Sequence, residues 1–419
     1  MTSPGPDTQT ADLNHQVAAH RDGDKNVVAS LMARLVPDPD NVTAHRRVAV
    51  ALMNHGLIVP AITAQVSCVN AGVRQQNRLA DDENLLVAMI LMHGDALGAS
   101  DLARRITVTW PDYTAGWVNL AYALTQTGDT AEAANAYRRV VADLPGDINA
   151  MDGLARCLGS LGEHDEAVKF GRQALEAKGN LMREKPVLWS VPSTVAVEDE
   201  EPAPSSHVIA YSLWGDDPRY ISTALRNVKI ARDIYPGWSC RIYHDDTVSR
   251  RMLDDLKVHG AVLVPVADRH VGKERLMWRS LVADDPQVKR FLVRDADSLL
   301  SVRERVAVDA WMTSGKPFHV LRDWYSHTDL MLAGLWDGTG GLLTGMREEI
   351  NTFLATNSII DRKIDQLFLA EVVWPSIRDA TLTHDDYFGC FDAQPFPPFD
   401  MLLPGQHVGQ NASVYERET

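Results

Sequence analysis

The sequence predicts an α solenoid of helical repeats followed by an α/β domain built on a mostly parallel sheet. Three observations carry that expectation. A 34-residue period runs through the first half, proline and acidic residues crowd the middle, and short apolar runs alternate with helical patterns in the second half. At 419 residues the chain exceeds what one hydrophobic core serves, so length alone points to two domains.

In the first half Gly94, Gly128 and Gly162 stand 34 residues apart, as do Ala99, Ala133 and Ala167, and Leu86, Leu120 and Leu154. Pro111 and Pro145 keep the same step. One unit reads Trp117, Leu120, Ala121, Leu124, Gly128, Ala133, Tyr137, Pro145. This order of large, small and aromatic residues lets two antiparallel helices nest, with small residues at the crossing and proline closing the second helix. Upstream, Val48, Ala49, Leu52, Gly56 and Ala61 repeat the order after Pro39, and the step of 38 from Gly56 to Gly94 predicts four inserted residues within 73–82. Residues 10–36 read as one further, degenerate helical pair. The pattern resembles the tetratricopeptide repeat. That likeness implies a concave surface for a partner or extended ligand, with the periodic positions as core and none of them catalytic. The repeats are placed at 8–180.

Between 181 and 206 the chain reads as a linker. Pro186, Pro192, Pro202 and Pro204 interrupt helical continuity, and the acidic run at 198–201 keeps the chain solvated. Residues 187–189 are expected to dock on the last repeat. From 207 to 419, strands are predicted at 207–213, 240–243, 261–266, 290–293 and 318–323. Helical patterns at 220–235, 248–259 and 274–283 separate the first four. Such alternation argues for an open sheet with helices on both faces, and ligands in such sheets bind beyond the carboxyl ends of the strands.

At that position after the fourth strand stands FLVRDADSLL, in which Asp295 and Asp297 emerge as the chain leaves the core. An Asp-x-Asp turn can present two hard oxygen ligands to Mg²⁺ or Mn²⁺ and leave positions for a diphosphate. The stretches YSLWGDDPRYISTALRNVKIARDIYPGW, MWRSLVADDP, FLVRDADS, VRERVAVDAWMTSGKPFHVLRD and LMLAGLWDGTGG resemble nucleotide-sugar glycosyltransferases of the GT-A, Rossmann-like fold over most of 207–346. The resemblance implies that Asp295 meets the metal and the donor ribose, and that Asp297 binds the metal. It also implies a basic donor contact at Arg279 and a nucleotide seat at Tyr211, Trp214 and Tyr220. Asp323 falls on the acceptor side and Asp365 at the end of the donor pocket, the two positions for catalytic carboxylates. His407, in preference to His384, completes the metal shell. Alternatives stand beside these roles: Arg279 as partner of Asp284 or Asp285, Glu304 as a solvated helix start, Arg294 as a support for the carboxylates, and the 334–341 glycines as room for a sugar.

Composition narrows the classes. Lys+Arg of 41 against Asp+Glu of 56 gives a net charge of -15, which argues against a general nucleic-acid binder. The polar N-terminus carries no secretory pattern, no apolar run is long enough for a membrane span, and four scattered cysteines read as buried thiols. A cytoplasmic address is expected. The reading is a metal-dependent glycosyltransferase with a nucleotide-sugar donor and Mn²⁺ or Mg²⁺, its protein or glycan acceptor held partly in the repeat groove. A homo-oligomer is compatible with it. The alternative is a non-catalytic repeat scaffold carrying a degenerate transferase domain. A sugar nucleotidyltransferase is disfavoured, because WGDDPRY offers no glycine-rich loop for a triphosphate.

Overall fold

The computed structural model describes residues 38–197, 206–267, 272–357, 363–399 and 406–412. The expected helical pair at 10–36 and the acidic run at 198–201 lie outside the described residues. The chain divides into two compact units, Met1–Ala167 and Val168–Thr419.

The first unit is helical throughout its described part. It runs α1 (Val42–Asn54), α2 (Ile58–Arg74), α3 (Ala80–His93), α4 (Ala96–Thr109), α5 (Thr114–Thr127), α6 (Thr130–Asp143) and α7 (Ile148–Leu161), and α8 (His164–Met182) begins there. Side chains of Asn41, Asp95 and Asp147 cap α1, α4 and α7 by accepting from backbone N–H groups of their first turns. The periodic alanines Ala61, Ala99, Ala133 and Ala167 are fully buried, as small residues at helix crossings must be. The insertion falls where the spacing put it: α2 has 17 residues against 14 in α4 and α6, and the turn after it is longer. The salt bridges repeat as well. Arg104 meets Glu132 at 2.7 Å, and Arg138 meets Glu166 at 2.9 Å. Exposed pairs of this kind contribute at most about 1 kcal/mol each.

Gly94, Gly128 and Gly162 end α3, α5 and α7 with φ of 93°, 87° and 80°. An added Cβ at Gly128 would touch nothing, so a substitution there tests backbone conformation alone. Gly128→Ala is expected to destabilise the helical unit by about 1–2 kcal/mol, read as a lower urea midpoint with unchanged helicity.

The second unit carries a seven-stranded mixed sheet ordered β3-β2-β1-β4-β6-β5-β7. Its strands are β1 (His207–Leu213), β2 (Ser239–His244), β3 (Val262–Pro265), β4 (Arg290–Arg294), β5 (Phe318–Arg322), β6 (Leu335–Thr339) and β7 (Thr381–Asp385). All neighbours are parallel except at β6, which runs antiparallel to β4 and β5. Five of these strands follow the sequence expectation; β6 and β7 are additions. Helices α9 (Pro218–Ile234), α10 (Arg250–Val258) and α11 (Val302–Ser314) follow β1, β2 and β4. A 3₁₀ helix, Gly272–Asp284, stands where an α-helix was expected before β4. Alternation along β1 sends Val208 and Ala210 into one core and Ile209, Tyr211 and Leu213 into the other.

The segment after α8 is not a free linker. Leu188 and Trp189 donate backbone N–H groups to Ser376 Oγ at 3.0 and 3.1 Å, and the Trp189 indole donates to Thr344 O at 2.8 Å. Trp189 is buried in a core cluster of the second unit that includes Leu175 of α8, with its indole N–H satisfied there. Within the 181–206 stretch, contacts to the α/β unit are thus made at Leu188 and Trp189, and at Val195, whose N–H donates to Gly315 O at 2.7 Å.

Candidate functional site

From β1 the chain steps outward to β2 and β3, then returns to lay β4 on the other side of β1. Strand order reverses between β1 and β4, and the crevice beyond their carboxyl ends is the place where such sheets bind ligands. Asp295 and Asp297 leave β4 into this crevice. Buried Asn227 of α9 pins their turn, donating from Nδ2 to Ser298 O at 2.7 Å and accepting from Leu300 N at 3.0 Å. A polar residue on the apolar face of a helix was the signal for Asn227, and the sequence reading passed over it.

Arg279 fills the floor of the crevice. Its guanidinium is buried, ion-paired with Asp295 Oδ1 and, at 2.8 Å, with Asp365 Oδ2. It also donates to Arg294 O at 3.2 Å, and its own N–H donates to Ser212 Oγ at 2.9 Å. Burial works against the charge on Arg279, but Asp295 and Asp365 outweigh it and raise its pKa. The Asp365 carboxyl is held above the ordinary range by burial, against the pull of Arg279. Asp295 is also pressed from the other side: a Cβ at Gly334 would collide with its Oδ2.

Asp297 faces a different set of partners. Its Oδ2 accepts from Asn411 Nδ2 at 2.7 Å and lies 3.7 Å from Arg219 Nε. Burial, then the charge of Asp295, raises the Asp297 pKa. Arg219 stacks over the Tyr220 ring at 4.3 Å and bonds to its hydroxyl. Beside them opens a cavity of about 280 Å³ lined by Ser212, Trp214, Asp216, Asp217, Tyr220 and Lys273, among others. Trp214 packs edge-on against buried Trp278. Arg219 and Lys273 are functional candidates that sequence reasoning missed. Both are isolated basic residues in loops or first turns, and only the fold brings them to the crevice.

The structure thus gathers Trp214, Tyr220, Arg279, Asp295, Asp297 and Asp365 at one crevice. It does not bring Tyr211, Asp323 or His407 to the same chemistry. Tyr211 is fully buried, with its hydroxyl unpaired, on the face of β1 that packs with Ile209 and Leu213. Asp323 is held by Arg303 at 2.8 Å and accepts from Val408 N at 3.0 Å, so its carboxylate ties a loop to the end of β5. His407 stacks on Trp324 with centroids 5.3 Å apart and meets His327 edge-on at 4.9 Å; burial lowers its pKa. Arg279 is paired with crevice carboxylates and not with Asp284, which caps Met346–Thr356, nor with Asp285, which binds Arg241. Glu304 is no solvated helix start. It is buried, bonded to Tyr235 OH at 2.9 Å and Arg294 Nε at 2.7 Å, so Arg294 serves the core and not the Asp-x-Asp turn. Of the glycines, Gly338 packs against Phe291 inside β6, leaving no room there for a sugar.

The implied divalent metal can be tested against this donor set. Asp295 Oδ1 is taken by Arg279 and Asp297 Oδ2 by Asn411, while His407 lies with Trp324 and His327, its Nδ1 on the Val408 carbonyl. No group of three or more His, Cys, Asp or Glu side chains able to hold a metal ion occurs among the described residues. The three-residue shell of Asp295, Asp297 and His407 does not assemble, and the residues present do not fit the ion. All four cysteines are free and buried, and no described helix is long and apolar enough to cross a membrane.

Comparison with known proteins finds the tetratricopeptide repeat family model over residues 124–180. The N-terminal region is therefore a tetratricopeptide-like helical solenoid, followed by a mixed α/β sheet domain. Among solved structures, the chain is similar to crystal structures of MamA, one at 22% identity, covering 43% of this chain and 98% of that one, with a TM-score of 0.35. It is similar also to YrrB, described as a TPR protein with an unusual peptide-binding site, at 16% identity over 38% of this chain and 81% of that one, with a TM-score of 0.32. A further likeness is to MamA 41-end from Desulfovibrio magneticus RS-1, at 13% identity over 32% of this chain and 75% of that one, with a TM-score of 0.30. No curated protein matches the chain.

Proposed function

We propose that the α/β domain binds a nucleotide sugar in the crevice between β1 and β4 and transfers its glycosyl group to a polypeptide or glycan acceptor held by the repeats. The observation that carries the reading is the cavity itself. It opens at the carboxyl end of β1 and is lined by two half-buried aromatic rings, Trp214 and Tyr220; Tyr220 neighbours Arg219, which lies 3.7 Å from Asp297. Tyr220 and Trp214 offer faces on which a base stacks. Lys273 and Arg219 supply positive charge for phosphates, and the Asp216 and Asp217 carboxylates can accept from ribose hydroxyls. An extended acceptor gains affinity from a second, linked contact, which is what a repeat surface supplies.

The test is calorimetry with UDP, GDP, CDP and ADP, followed by a donor-hydrolysis screen with the matching nucleotide sugars. One nucleoside diphosphate is expected to bind. Tyr220→Ala is expected to weaken it by roughly 5- to 150-fold, the value of about 1–3 kcal/mol for a lost base stack. Absence of binding by all four overturns the reading.

A second reading is a repeat scaffold whose α/β domain no longer transfers anything. Two observations favour it: the family match falls wholly within residues 124–180, and both expected catalytic carboxylates, Asp323 and Asp365, are engaged by arginines. On this reading none of the nucleotides binds, while a protein partner still binds the repeats.

A further inference from the structure

We propose that Arg279 is a built-in cation occupying the charge position a divalent metal would take beside Asp295 and Asp365, so that the crevice is organised without a metal ion. Arg279 is fixed from four parts of the second unit, two of them holding the guanidinium. Asp295 and the Arg294 carbonyl come from the end of β4 and Asp365 from the helical turn Ile364–Phe368; Ser212 of β1 and the 3₁₀ backbone hold its main chain. Its side chain is only 4% exposed and that of Asp365 7%, so the Arg279–Asp365 contact forms away from water, where charge interactions are strongest, while Asp295 keeps a solvated side. Arginine suits the task because its planar fork donates to two carboxylates at once and stays charged when buried.

The charge count points the same way. Three carboxylates, Asp295, Asp297 and Asp365, face two guanidiniums, Arg279 and Arg219, leaving one net negative charge. A divalent ion placed there would stand next to a buried like charge. Geometry also leaves it little purchase. One oxygen of Asp295 is taken by Arg279 and the other backs onto Gly334, while Asp297 Oδ2 already accepts from Asn411. The Asp-x-Asp turn that reads as a metal ligand in the sequence is thus an anchor for a cation the chain carries itself.

The experiment uses Mn²⁺ alone on the full chain, so its outcome is independent of whether the crevice takes a nucleotide. Thermal unfolding is followed with MnCl₂ and with EDTA for the wild type, Arg279→Gln, and the double variant Arg279→Gln/Asp365→Asn. The double variant removes both partners of the Arg279–Asp365 pair and so keeps the test available if the single one does not fold. The wild-type midpoint is expected to be the same in both conditions. A variant lacking the guanidinium is expected to gain a Mn²⁺-dependent rise of about 5 °C, abolished by adding Asp297→Asn. A wild-type midpoint that rises with Mn²⁺ and loses the rise in Asp297→Asn overturns the proposal. So does a folded Arg279-less protein that ignores Mn²⁺.

Discussion

Asp337→Ala is expected to destabilise the α/β unit by about 3–5 kcal/mol, the usual cost of removing one partner from a buried ion pair. Asp337 on β6 is fully buried between Arg294 of β4, at 2.5 Å, and His319 of β5, at 2.7 Å. His319 in turn meets His384 of β7 at 2.7 Å, so one polar row crosses four adjacent strands. Burial alone would raise the Asp337 pKa, but Arg294 and His319 outweigh it and hold the carboxyl below the ordinary range. Truncation leaves a buried guanidinium with Glu304 as its remaining carboxylate partner and an imidazole nitrogen with nothing to bond. The thermal midpoint of this unit should fall by roughly 10 °C. Asp337→Asn, which keeps the shape and part of the hydrogen bonding, should cost less. A change in Asp337→Ala smaller than about 1 kcal/mol would show that the row contributes little.

Stability is also expected to fall on mild acidification. Burial lowers the pKa of His319 against the pull of Asp337, and burial together with His319 lowers His384 to about 3. His327 is pushed well down by burial, with His407 and Arg322 adding to the effect. The unfolded chain therefore takes up protons near pH 6.5 that the folded chain refuses, so the unfolded state binds more protons and stability declines as pH falls. Each such histidine contributes a slope approaching 1.4 kcal/mol per pH unit below that point. Asp297 and Asp365, whose pKa values are raised, act in the opposite sense and offset part of this decline. Urea midpoints between about pH 6.5 and 5 should fall steeply in the wild type and less steeply in His384→Asn. Equal midpoints at both ends would show that these rings are not held neutral.

The helical half was legible because its information is periodic and local. Gly94, Gly128 and Gly162 announce the helix ends through a conformation that glycine alone adopts easily, and Ala99, Ala133 and Ala167 mark the crossings through size. Both properties belong to the residue and its spacing, so they survive without knowledge of the fold. The first five strands were legible for a similar reason, as apolar runs long enough to be buried. By contrast, β6 reads LWDGT, with a buried Asp and Gly338 that nothing local explains. Arg294 and His319 on neighbouring strands satisfy that aspartate, and Phe291 fills the space above the glycine.

At the crevice the division is sharper. By itself the sequence determined that Asp295 and Asp297 leave a buried strand at its carboxyl end, since apolar residues lead into them and the chain must then exit the core. Both faces of β1 are buried, so alternation along it could not tell whether Tyr211 belongs to a core or to the crevice. Only the tertiary structure decided what those carboxylates meet. Arg279 lies 16 residues from Asp295 and 86 from Asp365, Asn411 lies 114 from Asp297, and His407 is drawn to Trp324 and His327 instead. Charge acts through space and not along the chain, so whether a carboxylate is a metal ligand or the anchor of an arginine depends on which cation the fold delivers to it.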